Sequence, residues 1–254
     1  MRRFHLPTLL VAALLAMVTP LPAGAGEVHV AVAANFLSTV KVLIRRFESD
    51  HKGRVLLSAG STGKLYAQIM HGAPYDLFLA ADSRRPRLLA ENGNGIADSR
   101  FTYALGQLVL WSRKPDLVDG HGRVLHGDAV QRLAIANPKT APYGAAARQV
   151  LQHLKLWKRY RGRIVRGDNV GQTFEFIASG NADAGFVALS QVKRYRSGHS
   201  GSLWQVPADL HDPIEQQAIL LTRARGNATA RAFVAFLRSD AGRRIIRDSG
   251  YRLP

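Results

Sequence analysis

The chain reads as an α/β protein of two lobes, each a mostly parallel sheet flanked by helices, with a cleft between them. Three observations point there. Apolar runs of strand length alternate with amphipathic stretches of helix length. The alternation occurs twice, before and after a long apolar segment at 101–111. Four strand-to-helix junctions also carry small polar residues: Ala33-Ala34-Asn35-Phe36, Gly60-Ser61-Thr62-Gly63, Pro142-Tyr143-Gly144 and Asp168-Asn169-Val170-Gly171. A helix start leaves backbone N–H groups without partners and carries partial positive charge, so each junction suits an anion. Two such junctions in each half predict a pocket that wraps one small anion.

Residues 1–25 are set aside as a targeting segment. Arg2 and Arg3 supply the basic start, residues 6–18 the apolar middle and Ala23-Gly24-Ala25 a small-residue cleavage pattern. The apolar run is short for a membrane span and contains Pro7, with Pro20 and Pro22 after it. Export is therefore expected, with cleavage near Ala25.

In the first half, 28–33 predicts a buried strand and 36–49 a helix. Phe36, Val40, Leu43, Ile44 and Phe47 align on one helical face, and Lys41, Arg45, Arg46 and Glu48 lie off it. A strand at 54–58, a helix at 63–71, a strand at 76–80 and a helix at 84–91 follow. Asn92-Gly93-Asn94-Gly95 is turn chemistry, and 101–111 predicts one long strand that crosses to the next unit. That unit repeats the plan: strand 133–136, helix 145–157, a strand from 164, helix 172–179 and strand 184–188. A strand at 214–222 returns to the first unit, and closing helices fill 229–249. Residues 26–107 with 212–254 are assigned to lobe I, and 108–211 to lobe II.

Composition excludes several kinds of chemistry. With no cysteine, thiolate metal sites, thiol nucleophiles and disulfides are out. No Gly-x-Ser-x-Gly elbow and no helical His pair of zinc-site spacing occurs, and the nine histidines lie apart. The protein is not expected to be an enzyme. The net charge of +17 favours encounter with anions generally. One dense basic run, Lys158-Arg159-Arg161-Arg163-Arg166 beside Trp157 and Tyr160, keeps a polyanion-binding alternative open, although solvated surface is the simpler reading and no nucleic acid is expected.

Gly60-Ser61-Thr62-Gly63-Lys64 is the sharpest local signal. A nucleotide phosphate loop needs a glycine where Ser58 stands and a hydroxyl after the lysine, where Leu65 stands, so that reading fails. What remains is helix capping by Ser61, or hydroxyl and N–H donors aimed at an anion. Asn35 either caps the first helix or turns its amide to a ligand, and Tyr143 and Asn169 hold equivalent places in the second half. A hydrolase using Ser61 lacks a histidine near in sequence.

At this point the sequence resembles the periplasmic molybdate-binding proteins of ABC transporters. The resemblance spans nearly the whole chain after residue 25. It rests on the junctions above, on Gly72-Ala73-Pro74-Tyr75-Asp76-Leu77-Phe78-Leu79-Ala80-Ala81-Asp82, on Asn137-Pro138, on residues 185–187 and on Gly250-Tyr251. It implies a type II binding-protein fold with one oxyanion at the hinge, molybdate or tungstate, held by neutral groups. Asn35, Ser61 and Thr62 act from one lobe, Tyr143 and Val170 from the other, and Ala34, Gly63 and Asn169 are further candidates. Molybdenum then enters only as the oxyanion, with no cofactor. Partners are a membrane permease and its ATPase, the location is the periplasm, and the receptor is a monomer. Two departures stand out: Asn35 replaces a serine, and Ala188 takes the place of a tyrosine found in many relatives. A receptor for sulfate or a small organic acid is the alternative.

Overall fold

The computed structural model describes residues 26–195 and 201–254; the proposed targeting segment at 1–25 lies outside them. Two five-stranded sheets organise the chain. The first is built from β1 (Glu27–Ala33), β2 (Arg54–Gly60), β3 (Leu77–Leu79), β4 (Phe101–Gly106) and β10 (Ile214–Leu220), in the order β2-β1-β3-β10-β4. The second is built from β5 (Leu108–Ser112), β6 (Leu133–Ala136), β7 (Ile164–Gly167), β8 (Ala184–Ala188) and β9 (Ser202–Gln205), in the order β7-β6-β8-β5-β9. β1 runs parallel to β2 and β3, and β6 parallel to β7 and β8. In each sheet one strand is reversed, β10 in the first and β5 in the second. Those two strands follow the chain's passages between sheets, so the crossing segments supply the antiparallel strand pairs of both sheets.

The helices form where the apolar spacing puts them. α1 (Leu37–Asp50) buries Val40, Leu43, Ile44 and Phe47 against the first sheet, each contributing about 1.5–3 kcal/mol relative to exposure. α2 (Thr62–Met70) and α3 (Arg84–Glu91) pack on the opposite face through Leu65, Ile69 and Leu89. In the second lobe α4 (Pro142–His153), α5 (Trp157–Tyr160), α6 (Val170–Ala178) and α7 (Leu189–Arg194) surround a core containing Trp111, Tyr143, Tyr160 and Phe186. α8 (Ala228–Arg238) and α9 (Asp240–Asp248) close the first lobe, each capped by the side chain before it, Asn227 and Ser239. No helix among the described residues is long and apolar enough to cross a membrane.

Three departures from the sequence reading have physical causes. The strand expected across 101–111 is two strands in different sheets. The break falls at Gln107, just after Gly106, where any Cβ would collide with the Tyr143 hydroxyl. The helix expected at 145–157 begins earlier, at Pro142, whose fixed φ suits the first helical position. It ends at His153 because Lys155 is left-handed at φ 59°. β9 and α7 are additions to the expected plan, since four and six residues are too few to display a period.

Candidate functional site

All four junctions singled out in the sequence meet at one cavity. Its walls are Ala33, Ala34 and Asn35; Gly60, Ser61 and Thr62; Ala141, Pro142 and Tyr143; and Asn169 and Val170, with Ala81 completing the lining. Its volume is about 10 Å³, so the walls stand close together. No charged side chain lines it, so any charge it accepts must be met by dipoles and neutral donors.

From the first lobe, the chain leaves β1 through a 3-10 turn at Ala34–Phe36 and leaves β2 into α2 at Ser61. Ser61 takes the capping position but makes no side-chain capping bond. Its Oγ is buried without a hydrogen-bond partner among the described residues. A buried hydroxyl left unpaired costs about 1–3 kcal/mol, and here it stands on the cavity wall. Thr62 is committed differently: its Oγ1 accepts from the Ala81 N–H at 3.1 Å, which leaves the hydroxyl proton free to be donated.

From the second lobe, Pro142 opens α4, so the first N–H that helix offers belongs to Tyr143. Asn169 is a true cap; its Oδ1 accepts from the Gln172 N–H at 3.0 Å. Its side chain therefore serves the helix, and Val170 begins the helix beside it. Gln191, which the sequence reading missed, accepts from the Ala188 N–H at 3.0 Å and donates to the Val170 carbonyl at 3.1 Å. Ala188 itself does not line the cavity.

Two expectations need correction. The Asn35 carboxamide neither caps a helix nor turns to the cavity. Its Nδ2 donates to Gln216 Oε1 at 2.8 Å and to the Tyr251 hydroxyl at 3.1 Å. What Asn35 has left for a ligand is its backbone N–H. Gly63, expected as a further ligand, is absent from the lining, because its N–H crosses the cleft to the Thr140 carbonyl at 2.8 Å. A Cβ at Gly63 would stand 2.9 Å from that carbonyl oxygen, so glycine there allows the two lobes to touch.

Behind the cavity lies a buried polar cluster where both lobes meet. Tyr251 donates to the Asn35 carbonyl at 2.8 Å and accepts from Ser190 at 2.9 Å. Gln216 donates to the Tyr143 hydroxyl at 3.4 Å, and Tyr103 lies 3.1 Å from Gln216 Oε1. Burial pushes the Tyr103 and Tyr143 hydroxyls well above their ordinary range, and Tyr251 up to about 12. These groups stay neutral and act as fixed hydrogen-bonding posts. Gln216 is fully buried between Glu215 and Gln217, in a polar stretch of β10 that gave no sign of which amide faces inward.

Acidic residues near the site are already engaged. Asp82 pairs with Arg85, and Asp76 accepts from the His29 N–H and pairs with Arg223. No group of three or more potential metal-ligating side chains occurs among the described residues.

Comparison with known proteins agrees with this architecture. A family model described as "Bacterial extracellular solute-binding protein" matches residues 28–252. The chain is 48% identical over 244 residues to the molybdate-binding protein ModA of Azotobacter vinelandii, covering 96% of this chain and 97% of that protein. It is 45% identical over 237 residues to ModA of Rhodobacter capsulatus, covering 93% and 92%. A solved periplasmic molybdate-binding protein of Azotobacter vinelandii superposes with a TM-score of 0.87 at 43% identity, over 90% of this chain and 100% of that one. The chain belongs to the bacterial extracellular solute-binding protein family.

Proposed function

We propose that this protein is a periplasmic receptor that captures molybdate, and also tungstate, for delivery to a membrane permease driven by an ATPase. The observation that carries the reading is the buried, unpartnered Ser61 hydroxyl on an uncharged cavity formed by four helix starts. The similarity to two ModA proteins over almost their whole length supports the choice of ligand. The protein performs no chemistry on its ligand and needs no cofactor.

In this reading the oxyanion accepts from the Ser61 and Thr62 hydroxyls and from backbone N–H groups of Asn35, Thr62, Tyr143 and Val170. Ala34 and Asn169 shape the wall. A bond to a charged acceptor contributes about 1.5–3 kcal/mol, and helix starts supply donors fixed in place. Removing water as the lobes close strengthens each of them. A protonated anion brings an O–H that backbone N–H groups cannot accept, leaving only the two hydroxyls to receive it, which favours molybdate, tungstate and sulfate over hydrogen phosphate. Lobe I comprises 26–107 with 212–254 and lobe II 108–211, with one crossing between β4 and β5 and the other between β9 and β10. Residues 1–25 act as the signal peptide, and the mature receptor works as a monomer.

Titration calorimetry of ligand-free protein with molybdate, tungstate, sulfate and phosphate tests the assignment. Tight binding of the first two is expected. Tight sulfate binding with no response to molybdate would overturn it.

A further inference from the structure

The dense basic run noted in the sequence does not form one solvated stripe. Arg159 folds back onto Asp128 at 2.7 Å and onto the Gly127 carbonyl at 2.8 Å. Arg161 and Arg166 instead line a groove of about 400 Å³ on the second lobe, together with Lys139 and Arg148. None of these four cations forms an ion pair with a described carboxylate, and no carboxylate lines the groove. Arg148 lies over the Trp157 ring at 5.2 Å, which gives the groove an aromatic wall.

Its floor includes Ile164 and Arg166 of β7, the edge strand of the second sheet. The Arg163 and Gly167 carbonyls accept from Leu133 and Asn137 on the β6 side. In a parallel ladder alternate residues bond on opposite sides, so the backbone groups of Ile164 and Arg166 face outward. The edge therefore offers main-chain donors and acceptors beside four cations that form no ion pair among the described residues, although Asp168 lies near enough to Arg166 to feel its charge.

The groove also touches the closure contact. Its wall at Lys139 adjoins Thr140, whose carbonyl accepts from Gly63 across the cleft, and the Lys139 carbonyl lies 3.5 Å from Arg85 Nη2. With the lobes in contact, Arg85 of the first lobe therefore stands against that wall.

We infer that this groove docks an extended acidic peptide segment, of the kind a membrane partner presents, and binds it better when the cleft is closed. The segment adds to the β7 edge while its carboxylates meet Lys139, Arg148, Arg161 and Arg166. The inference rests on the receptor reading for the identity of the partner, but the groove's chemistry is independent of which oxyanion fills the cavity.

The test uses fluorescence anisotropy of a fluorescein-labelled peptide of alternating Glu and Val, titrated with purified protein with and without saturating molybdate. Binding is expected to be tighter with molybdate. The R161A/R166A variant is expected to weaken it about tenfold, whereas R45A/R244A, on exposed positions of α1 and α9, changes it less than about twofold. Calorimetry shows whether both variants still bind molybdate, which reports on folding and on the receptor reading separately. Equal losses from the two variants would mean diffuse attraction by net charge and overturn the inference. So would absence of peptide binding, or affinity indifferent to molybdate. Capture on phosphatidylglycerol vesicles that needs Arg161 and Arg166, without peptide binding, would assign the groove to a lipid surface and equally overturn it.

Discussion

Lys64 Nζ lies 2.8 Å from Asp168 Oδ2, joining the first turn of α2 in one lobe to the residue that leads into α6 in the other. Both helix starts line the same cavity, and the Gly63 N–H bond to Thr140 sits next to this pair along the chain. The two contacts act together as a latch across the cleft. The Lys64 ammonium holds the Asp168 carboxyl below the usual carboxylate range, so the pair favours closure above the ordinary carboxylate pKa. That preference is lost as pH falls through the lowered value.

Neutralising either end should therefore speed ligand release. K64M or D168N is expected to raise the molybdate off-rate about two- to fivefold while leaving the on-rate nearly unchanged, since an exposed pair contributes modestly. Stopped-flow displacement measures both rates. The double variant should be no faster than the singles, because each already removes the same contact. An off-rate equal to that of the wild type would show that the pair does not restrain opening.

Ser61→Ala separates ligand binding from folding. Its hydroxyl has no partner among the described residues, so removing it leaves ligand-free stability unchanged or slightly higher. Molybdate affinity should fall about ten- to a hundredfold, the loss of one bond to a charged acceptor. Calorimetry and thermal unfolding on the same preparation check the two halves of the prediction.

Asn35→Ala should behave in the opposite way. It strips Gln216 Oε1 and the Tyr251 hydroxyl of a buried donor. Tyr251 keeps Ser190 and the residue 35 carbonyl, and Gln216 Oε1 keeps Tyr103, so ligand-free stability should drop by only about 0.5–1.5 kcal/mol for each bond lost, read from urea denaturation. Affinity falls as a consequence, through disorder of the turn that carries the Asn35 N–H.

Alkaline pH should unfold the protein through its buried tyrosines. Unfolded tyrosine releases its proton near pH 10, whereas burial keeps Tyr103 and Tyr143 protonated well beyond that, and Tyr251 to about 12. Above pH 10 the unfolded chain binds fewer protons than the folded one, so stability declines as pH rises. Denaturation at a series of pH values from 9 to 12 measures the slope. Tyr143→Phe, which keeps the ring in the cavity wall, is expected to flatten it.

Much of the frame was readable one residue at a time. The strands at Leu133–Ala136 and Ala184–Ala188 and the helix at Arg84–Glu91 fall at the expected positions, because apolar spacing reports burial directly. Short elements escaped for want of a period, and the split at Gln107 escaped because the strands on either side of it are both mostly apolar. Gln216, Ser190 and Gln191 escaped for another reason: each matters through a partner far along the chain, with Gln216 and Asn35 181 positions apart.

Local pattern was enough to mark four helix starts rich in small polar residues, and to show that no cysteine or catalytic motif competes with them. Folding in three dimensions allotted the donors. It spent the Gly63 N–H on Thr140, turned the Asn35 carboxamide to Gln216, used Asn169 as a cap and left the Ser61 hydroxyl unpaired in the cavity. Spacing encodes which face of an element is buried. A hydrogen bond between residues brought together from opposite lobes depends on ångström-scale distances that only packing sets.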